Sequence, residues 1–444
     1  MKQDLLKGSI YKGLFIFTIP IFLSLVLQML YSIVDSIIVG NFVGANAFAA
    51  ISSTGSLNGL IISFFTGMAQ GSGVVIANFL GQRNYEKLNK SISTALILGV
   101  ILGIIVTIIG VLTTPAILTM MKTPKSVMPD AVNYTRIFYY GSIFMIMTNF
   151  CITIVQCLGD TKRPLIFLFI STMTNIVLDL VFITIFNMGV KGAAYSTLIA
   201  NVVSFVLTFN LITKFDERYR FNFKRMYFDK NILVDILKNG IPSGFSITII
   251  SLANVVVQSN INKFGEYAMA GVAASSTIES MVFIPISSFS NAITTFVSQN
   301  LGAGQEERAK KAAKFGILCS ISIAELIGII SIIFAPFLIS LFNKNPEVIK
   351  FGVNKTYVCG IFYLFLAYTH TISAVLRGAQ KPIIPMISMI VFWCVVRVGF
   401  LTITGNIWHN ILFLYWVYPL TWFLSSVFLT VYVYMKKPLT NWTA

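Results

Sequence analysis

Charge is what this sequence has least of. Only 11% of its 444 residues are Asp, Glu, Lys or Arg, and 56% are hydrophobic. A soluble domain carries about 25% charged residues. The deficit comes with long apolar runs, so the chain reads as a polytopic membrane protein. No apolar stretch shows the alternation of a strand, which leaves the all-α class. Chemistry-bearing motifs are also missing. There is no HExxH, no closely spaced histidines, and no Ser/His/Asp or Cys/His grouping, so an enzyme is not expected. A phosphate-cradling Gly-rich Lys loop is absent, which argues against ATP-driven transport by this chain, and no cofactor is implied. Cysteine is scarce. Cys151, Cys157, Cys319, Cys359 and Cys394 all fall in apolar stretches without metal spacing, and read as packing residues. A cleaved signal peptide is not expected either, because the first apolar run is too long and lacks a small-residue cleavage site.

What is present is a series of twelve apolar segments. They span roughly 14–39, 51–80, 91–118, 131–157, 164–186, 192–212, 240–262, 268–298, 315–341, 352–376, 383–405 and 409–434. The net charge of +16 raises the question of nucleic acid, but the distribution answers it. With both termini cytoplasmic, 23 Lys and Arg fall inside and 8 outside; Arg397, within the eleventh segment, completes the 32. That asymmetry is a topology signal, and it predicts a plasma-membrane protein with both termini cytoplasmic.

The two halves repeat. Ile19-Pro20 recurs as Ile241-Pro242, and Gly44, Ala47 and Ala49 as Gly265, Ala268 and Ala270. Leu80-Gly81 recurs as Leu301-Gly302; Gly141, Gly159 and Pro164 recur as Gly360, Gly378 and Pro382. Six crossings per half insert both halves in the same orientation, the parallel repeat of a two-lobed transporter. The expected division is an N-terminal lobe at 1–212, a basic cytoplasmic linker at 213–239 and a C-terminal lobe at 240–444. The linker either contacts membrane lipid headgroups or serves as a plain connector, and the plain connector is the simpler reading.

Polar residues inside the segments are candidates for function, because an intramembrane charge is costly. Asp35 lies in the outer half of segment one. Asn175 and Asp179 lie at or beyond the midplane of segment five, four residues apart and therefore on one helix face. Thr197 is in the outer half of segment six. Gln28 is two turns below Asp35, and Tyr134 and Asn149 lie on segment four. These oxygens suit a hard cation such as Na⁺. Two close carboxylates in a poorly solvated site equally suit proton exchange. Arg136 and Lys191 at the outer rim are the alternative partners for the acids. In the second half Glu279 and Arg397 are either an ion pair or part of a transport cavity. Glu325 has no assigned role. His370 is a proton carrier or simply hydrogen-bonded. Pro20 and Pro242 each permit a kink in the first helix of a half, and a kink beside Asp35 would tie its charge state to helix shape.

The runs YSIVDSIIVGNFVGANAFAAISSTGSL, FLGQRNYEKL, CLGDTKRP, TNIVLDLVFI, MGVKGAAYST and VSQNLGAGQEERA resemble the MATE family, the multidrug and toxic compound extrusion transporters. The likeness covers essentially the whole chain. It implies twelve transmembrane helices in two pseudo-symmetric six-helix lobes; a functional monomer is expected, and the sequence leaves the oligomeric state open. It also implies export of small amphipathic, often cationic organic compounds in antiport with H⁺ or Na⁺. The resemblance to DinF-type members assigns cation coupling to Asp35, Asn175, Asp179 and Thr197, with Tyr134, Gln28 and Asn149 as polar cavity positions. The glutamate that NorM-type members carry on helix seven is Ile250 here. The Ile-Glu-Ser around Glu279 resembles the MepA-like subgroup. The rival within the superfamily is a lipid or lipid-linked oligosaccharide flippase, which a strongly basic central cavity would favour.

Overall fold

A computed structural model describes residues 4–43, 45–121, 123–217, 219–221, 226–407 and 410–436, with side chains left undescribed at 45–50, 52, 53, 56, 57 and 404–407. Gly44, the side chains of Ala47 and Ala49, and linker residues Arg218, Lys224 and Arg225 therefore lie outside the described residues. Among those described there is no strand. The helices are α1 (Ile10–Phe42), α2 (Ala45–Gly81), α3 (Tyr85–Met120), α4 (Met128–Cys157), α5 (Lys162–Leu180), α6 (Val190–Thr213), α7 (Lys230–Ile261), α8 (Glu266–Gly302) and α9 (Glu306–Ile333). They continue with α10 (Ala335–Ser340), α11 (Pro346–Gly360), α12 (Tyr363–Gly378), α13 (Ile383–Ser388), α14 (Arg397–Ile407) and α15 (Ile411–Lys436).

Among the described residues eleven helical stretches are long and apolar enough to cross a membrane. The twelfth is assembled from α11 and α12, which meet at a 55° bend. The twelve expected segments are thus present, with the tenth broken in two. On α3, Ile101, Ile104, Ile105, Ile108, Ile109 and Leu112 are all exposed. Their spacing is that of a single helix face, the stripe expected where a helix meets hydrocarbon rather than water.

The chain forms two compact units. The first holds Leu23–Gly240 and the second holds Asp4–Phe22 together with Ile241–Ala444. Residues 10–22 of α1 therefore pack with the second unit, while its remainder, which carries Asp35, packs with the first. The Asp4–Gly8 stretch is anchored within the second unit by Arg308. Its guanidinium donates to the carbonyls of Leu5, Lys7 and Gly8, and Leu5 itself is buried. The seventh span begins at Lys230 rather than 240. Asp229 caps it, accepting from the backbone N–H of Asn231 and Ile232. Ile232 and Ile236 then bury against Leu88, Ile92, Tyr219 and Phe221 in the core of the first unit.

Small residues set the close approaches. A Cβ added at Gly192 would lie 3.1 Å from Phe182, so α6 passes tight against the π-helical turn, Val181–Ile185, that follows Asp179. The α5–α6 connection needs Gly189 at φ +56°, a left-handed conformation in which a side chain would be strained. In the second unit a Cβ at Gly271 would lie 2.5 Å from the carbonyl of Val348, and one at Gly352 2.8 Å from the carbonyl of Gly271. That contact brings α8 and α11 nearly backbone to backbone.

Candidate cation site

Three helices of the first unit converge on one polar cluster. Tyr31 and Asp35 are one turn apart on α1, Asn175 and Asp179 one turn apart on α5, and Ser196 and Thr197 are adjacent on α6. Asn175 and Asp179 are buried, 1% and 0% exposed. The carboxyl groups of Asp35 and Asp179 face each other closely enough to share a hydrogen bond once one of them carries a proton. Ser196 Oγ donates to Asp179 Oδ1. Asn175 Nδ2 donates to Thr197 Oγ1 at 3.5 Å, and Tyr31 Oη lies 3.4 Å from the same hydroxyl. Tyr134 is packed beside the cluster, against Ile38, Val39, Ile183 and Val190.

The decisive feature is what these groups lack. Asp35 Oδ1, Asn175 Oδ1 and Asp179 Oδ2 are all buried, and none has a hydrogen-bond donor. Carboxylate and amide oxygens are acceptors only. Three of them gathered without a donor make an electron-rich cluster that a proton or a metal cation would satisfy, and oxygen ligands of this hardness suit Na⁺. Among the described residues neither acid is in an ion pair, and Arg136 and Lys191 do not reach them. The rim cations therefore do not supply the missing charge.

Not every sequence candidate joins the cluster. Gln28 is exposed on α1. Asn149 is turned toward α2, accepting from Thr66 Oγ1 at 3.4 Å and donating to the carbonyl of Met145. A small pocket is nevertheless lined by Tyr134, Met145, Thr197 and Asn201 among others, so it adjoins the cluster through Thr197. Pro20 lies inside the unbroken α1. It is fifteen residues from Asp35, about 22 Å along the axis, so a bend there would not be beside the carboxylate. Sequence reasoning missed Tyr31 and Ser196. The four-residue spacing that linked Asn175 to Asp179 also links Tyr31 to Asp35 and could have found the first.

The second unit decides against one of the two readings of Glu279 and Arg397. Glu279 does not pair with Arg397. Its Oε2 is 3.1 Å from Lys355 Nζ, which also donates to Ser276 Oγ at 2.7 Å. Lys355 lies three residues into its apolar run, where counting along the sequence places it at the outer rim, yet it is 1% exposed. The Gly271–Gly352 contact draws α11 against α8 and carries it inside. Arg397, 0% exposed, instead bonds Asn254 Oδ1 at 3.2 Å and Thr421 Oγ1 at 2.8 Å. Glu325 accepts from the backbone N–H of Leu364 at 3.0 Å and so caps the start of α12 at the bend. His370 Nε2 is buried without a partner, its ring edge-on to Phe283 and Trp393.

The MatE family model matches residues 20–181 and, a second time, residues 242–403. The chain belongs to the MATE family. The two matches start 222 residues apart (242 − 20), which is the Pro20–Pro242 offset of the internal repeat. This MATE member is 30% identical over 398 residues to the "Probable multidrug resistance protein YoeA" of Bacillus subtilis, covering 87% of this chain and 85% of the relative. It is 22% identical to the "Multidrug export protein MepA" of Staphylococcus haemolyticus, over 90% of each. Its fold matches that of a MOP superfamily transporter from Pyrococcus furiosus, with a TM-score of 0.91, 24% identity, and coverage of 99% of this chain and 98% of that one. The MATE fold of two six-span halves is thus the fold of this chain.

Proposed function

We propose that this MATE family protein exports small amphipathic organic compounds, cationic ones among them, across the cytoplasmic membrane in exchange for Na⁺ or H⁺. The coupling ion enters at Asp35, Asn175, Asp179 and Thr197. The observation that carries this reading is the trio of buried acceptor oxygens on Asp35, Asn175 and Asp179 with no donor among them. The names of the YoeA and MepA relatives support export of drug-like compounds over the flippase reading. The Lys and Arg bias supports cytoplasmic termini.

The chemistry follows from charge. Two carboxylates in contact at the bilayer's outer half repel each other, and each is poorly solvated. An entering cation removes the repulsion and draws α1 and α5 together. Thr197, already tied to Asn175 and Tyr31, transmits that movement to the adjoining cavity. Cation and organic substrate thereby exclude each other in time, which is the requirement for exchange. An inside-negative potential of 100 mV adds about 2.3 kcal/mol for each charge carried fully inward. The test is accumulation of ethidium in whole cells, with and without a Na⁺ gradient and with and without a protonophore. Low accumulation that rises when one gradient is collapsed supports the proposal and names the ion. Accumulation indifferent to both gradients and to the presence of the protein refutes it.

A further inference from the structure

The two halves hold opposite charges at one matched position. Pro164 and Pro382 correspond in the repeat, and Asp179 and Arg397 each follow their proline by fifteen residues. Where the first unit gathers acceptors without donors, the second gathers donors without a matching anion. Arg397 has its guanidinium 4.7 Å from the Trp393 ring centroid and 5.0 Å from that of Tyr418. Its remaining acceptors, Asn254 and Thr421, are neutral, and its Nε has no partner at all. Lys355 sits over the same Tyr418 ring at 5.0 Å. Among the described residues Glu279 is the one carboxylate acting on either cation, and it is already held by Lys355.

We propose that this cluster binds the anionic group of a transported molecule: a carboxylate, phosphate or sulfonate. Lys355 and Arg397 against Glu279 leave one net positive charge buried in the membrane span. A buried charge without a counterion is strongly destabilising unless something compensates it. Aromatic faces and neutral acceptors do so only in part. The flanking rings leave the guanidinium edge as the direction from which an oxyanion is accepted, the geometry in which arginine binds carboxylate and phosphate. There is an approach. Asn254, which occupies one donor of that edge, is exposed, and Glu279 is 21% exposed. An incoming oxyanion replaces the Asn254 amide without disturbing the buried Thr421 bond. Compounds carrying both a cationic and an anionic group fall within this substrate class. The inference rests on the exporter reading, because it names a group on the exported compound.

The competing explanation is that Arg397 merely braces α7, α14 and α15. The experiment uses the purified full-length protein, with carboxyfluorescein as anionic probe and ethidium as cationic probe, each read by fluorescence anisotropy. Arg397→Gln and Lys355→Met should each weaken carboxyfluorescein binding tenfold or more and leave ethidium binding unchanged. Glu279→Gln should tighten carboxyfluorescein binding, a change a brace would not produce. Arg397→Lys keeps the charge and should retain part of the affinity even if Arg397→Gln folds poorly. Displacement by inorganic phosphate assigns the site to free anions, and displacement only by phosphatidylglycerol vesicles assigns it to a headgroup; either upholds the anion site. Asp35→Asn should bind carboxyfluorescein normally while losing gradient-driven export, so failure of the exporter reading and failure of this one are seen separately. No carboxyfluorescein binding by the wild type overturns the proposal. So does equal loss of both probes in Arg397→Gln with no tightening in Glu279→Gln.

Discussion

Replacing Asp179 by Asn keeps the shape of the side chain and its bond to Ser196, and removes one unit of negative charge from the three-oxygen cluster. Asp179 is 0% exposed, and its Oδ2 faces the site with no donor of its own. A charge about 4 Å from a bound cation, at the effective dielectric of ~20 appropriate to protein sites, is worth about 4 kcal/mol. Part of that is returned, because the empty variant no longer holds two carboxylates against each other. A net loss of about 2–3 kcal/mol remains, or a 30- to 150-fold weaker cation affinity at 1.4 kcal/mol per factor of ten. Titration calorimetry of the purified protein with NaCl at several pH values measures it directly. The pH series matters, because a Na⁺ site shows cation binding that weakens as protons compete, and a pure proton site shows none. Wild-type affinity for both Na⁺ and H⁺ in Asp179→Asn would refute the electrostatic reasoning.

Three further outcomes follow from the same contacts. Ser196→Ala removes the hydroxyl donor to Asp179 Oδ1 and frees that oxygen for the ion, so cation binding in the same titration should tighten about tenfold, consistent with the ~1.5–3 kcal/mol of a charge-assisted bond; an unchanged or weaker affinity would show that Ser196 only packs. Gly352→Leu forces a side chain into a gap in which even a Cβ would lie 2.8 Å from the Gly271 carbonyl, so the variant should lose at least about 2 kcal/mol, read as a lowered melting temperature in detergent; a wild-type melting temperature would mean that α8 and α11 are not tightly apposed. Glu325→Gln keeps an acceptor for the Leu364 N–H and should melt like the wild type, while Glu325→Leu leaves that half-buried donor unpaired and should lose about 1 kcal/mol; equal effects of the two would remove Glu325 from its capping role.

The parts of this structure legible in the sequence are those written in periodic or local signals. Span number, the repeat and the shared face of Asn175 and Asp179 depend on runs of apolar residues and on spacing along one helix, and these carry over to the fold. What was not legible depends on how neighbouring helices approach. Lys355 lies close to the end of its apolar run, so counting alone puts it at the rim; only the glycine contact between α8 and α11 carries it into the core. With Lys355 inside, Glu279 has a nearer cation than Arg397, and the ion-pair alternative for those two residues falls away. The break in the tenth span carries no local signal either, because Gly360-Ile361-Phe362 contains no proline, and the free N–H it exposes is satisfied by Glu325 from another helix. Pro20 and Asp35 lie on one helix fifteen residues apart, so the sequence itself separates a bend at Pro20 from the carboxylate.

The measurement closest to the central claim is ethidium export by proteoliposomes holding either the wild type or Asp35→Asn, under an imposed Na⁺ gradient, an imposed proton gradient, or neither. The wild type should move dye only when the coupling gradient is present, and Asp35→Asn, correctly folded and inserted, should move none under any condition. Gradient-driven export by Asp35→Asn at the wild-type rate would contradict the account.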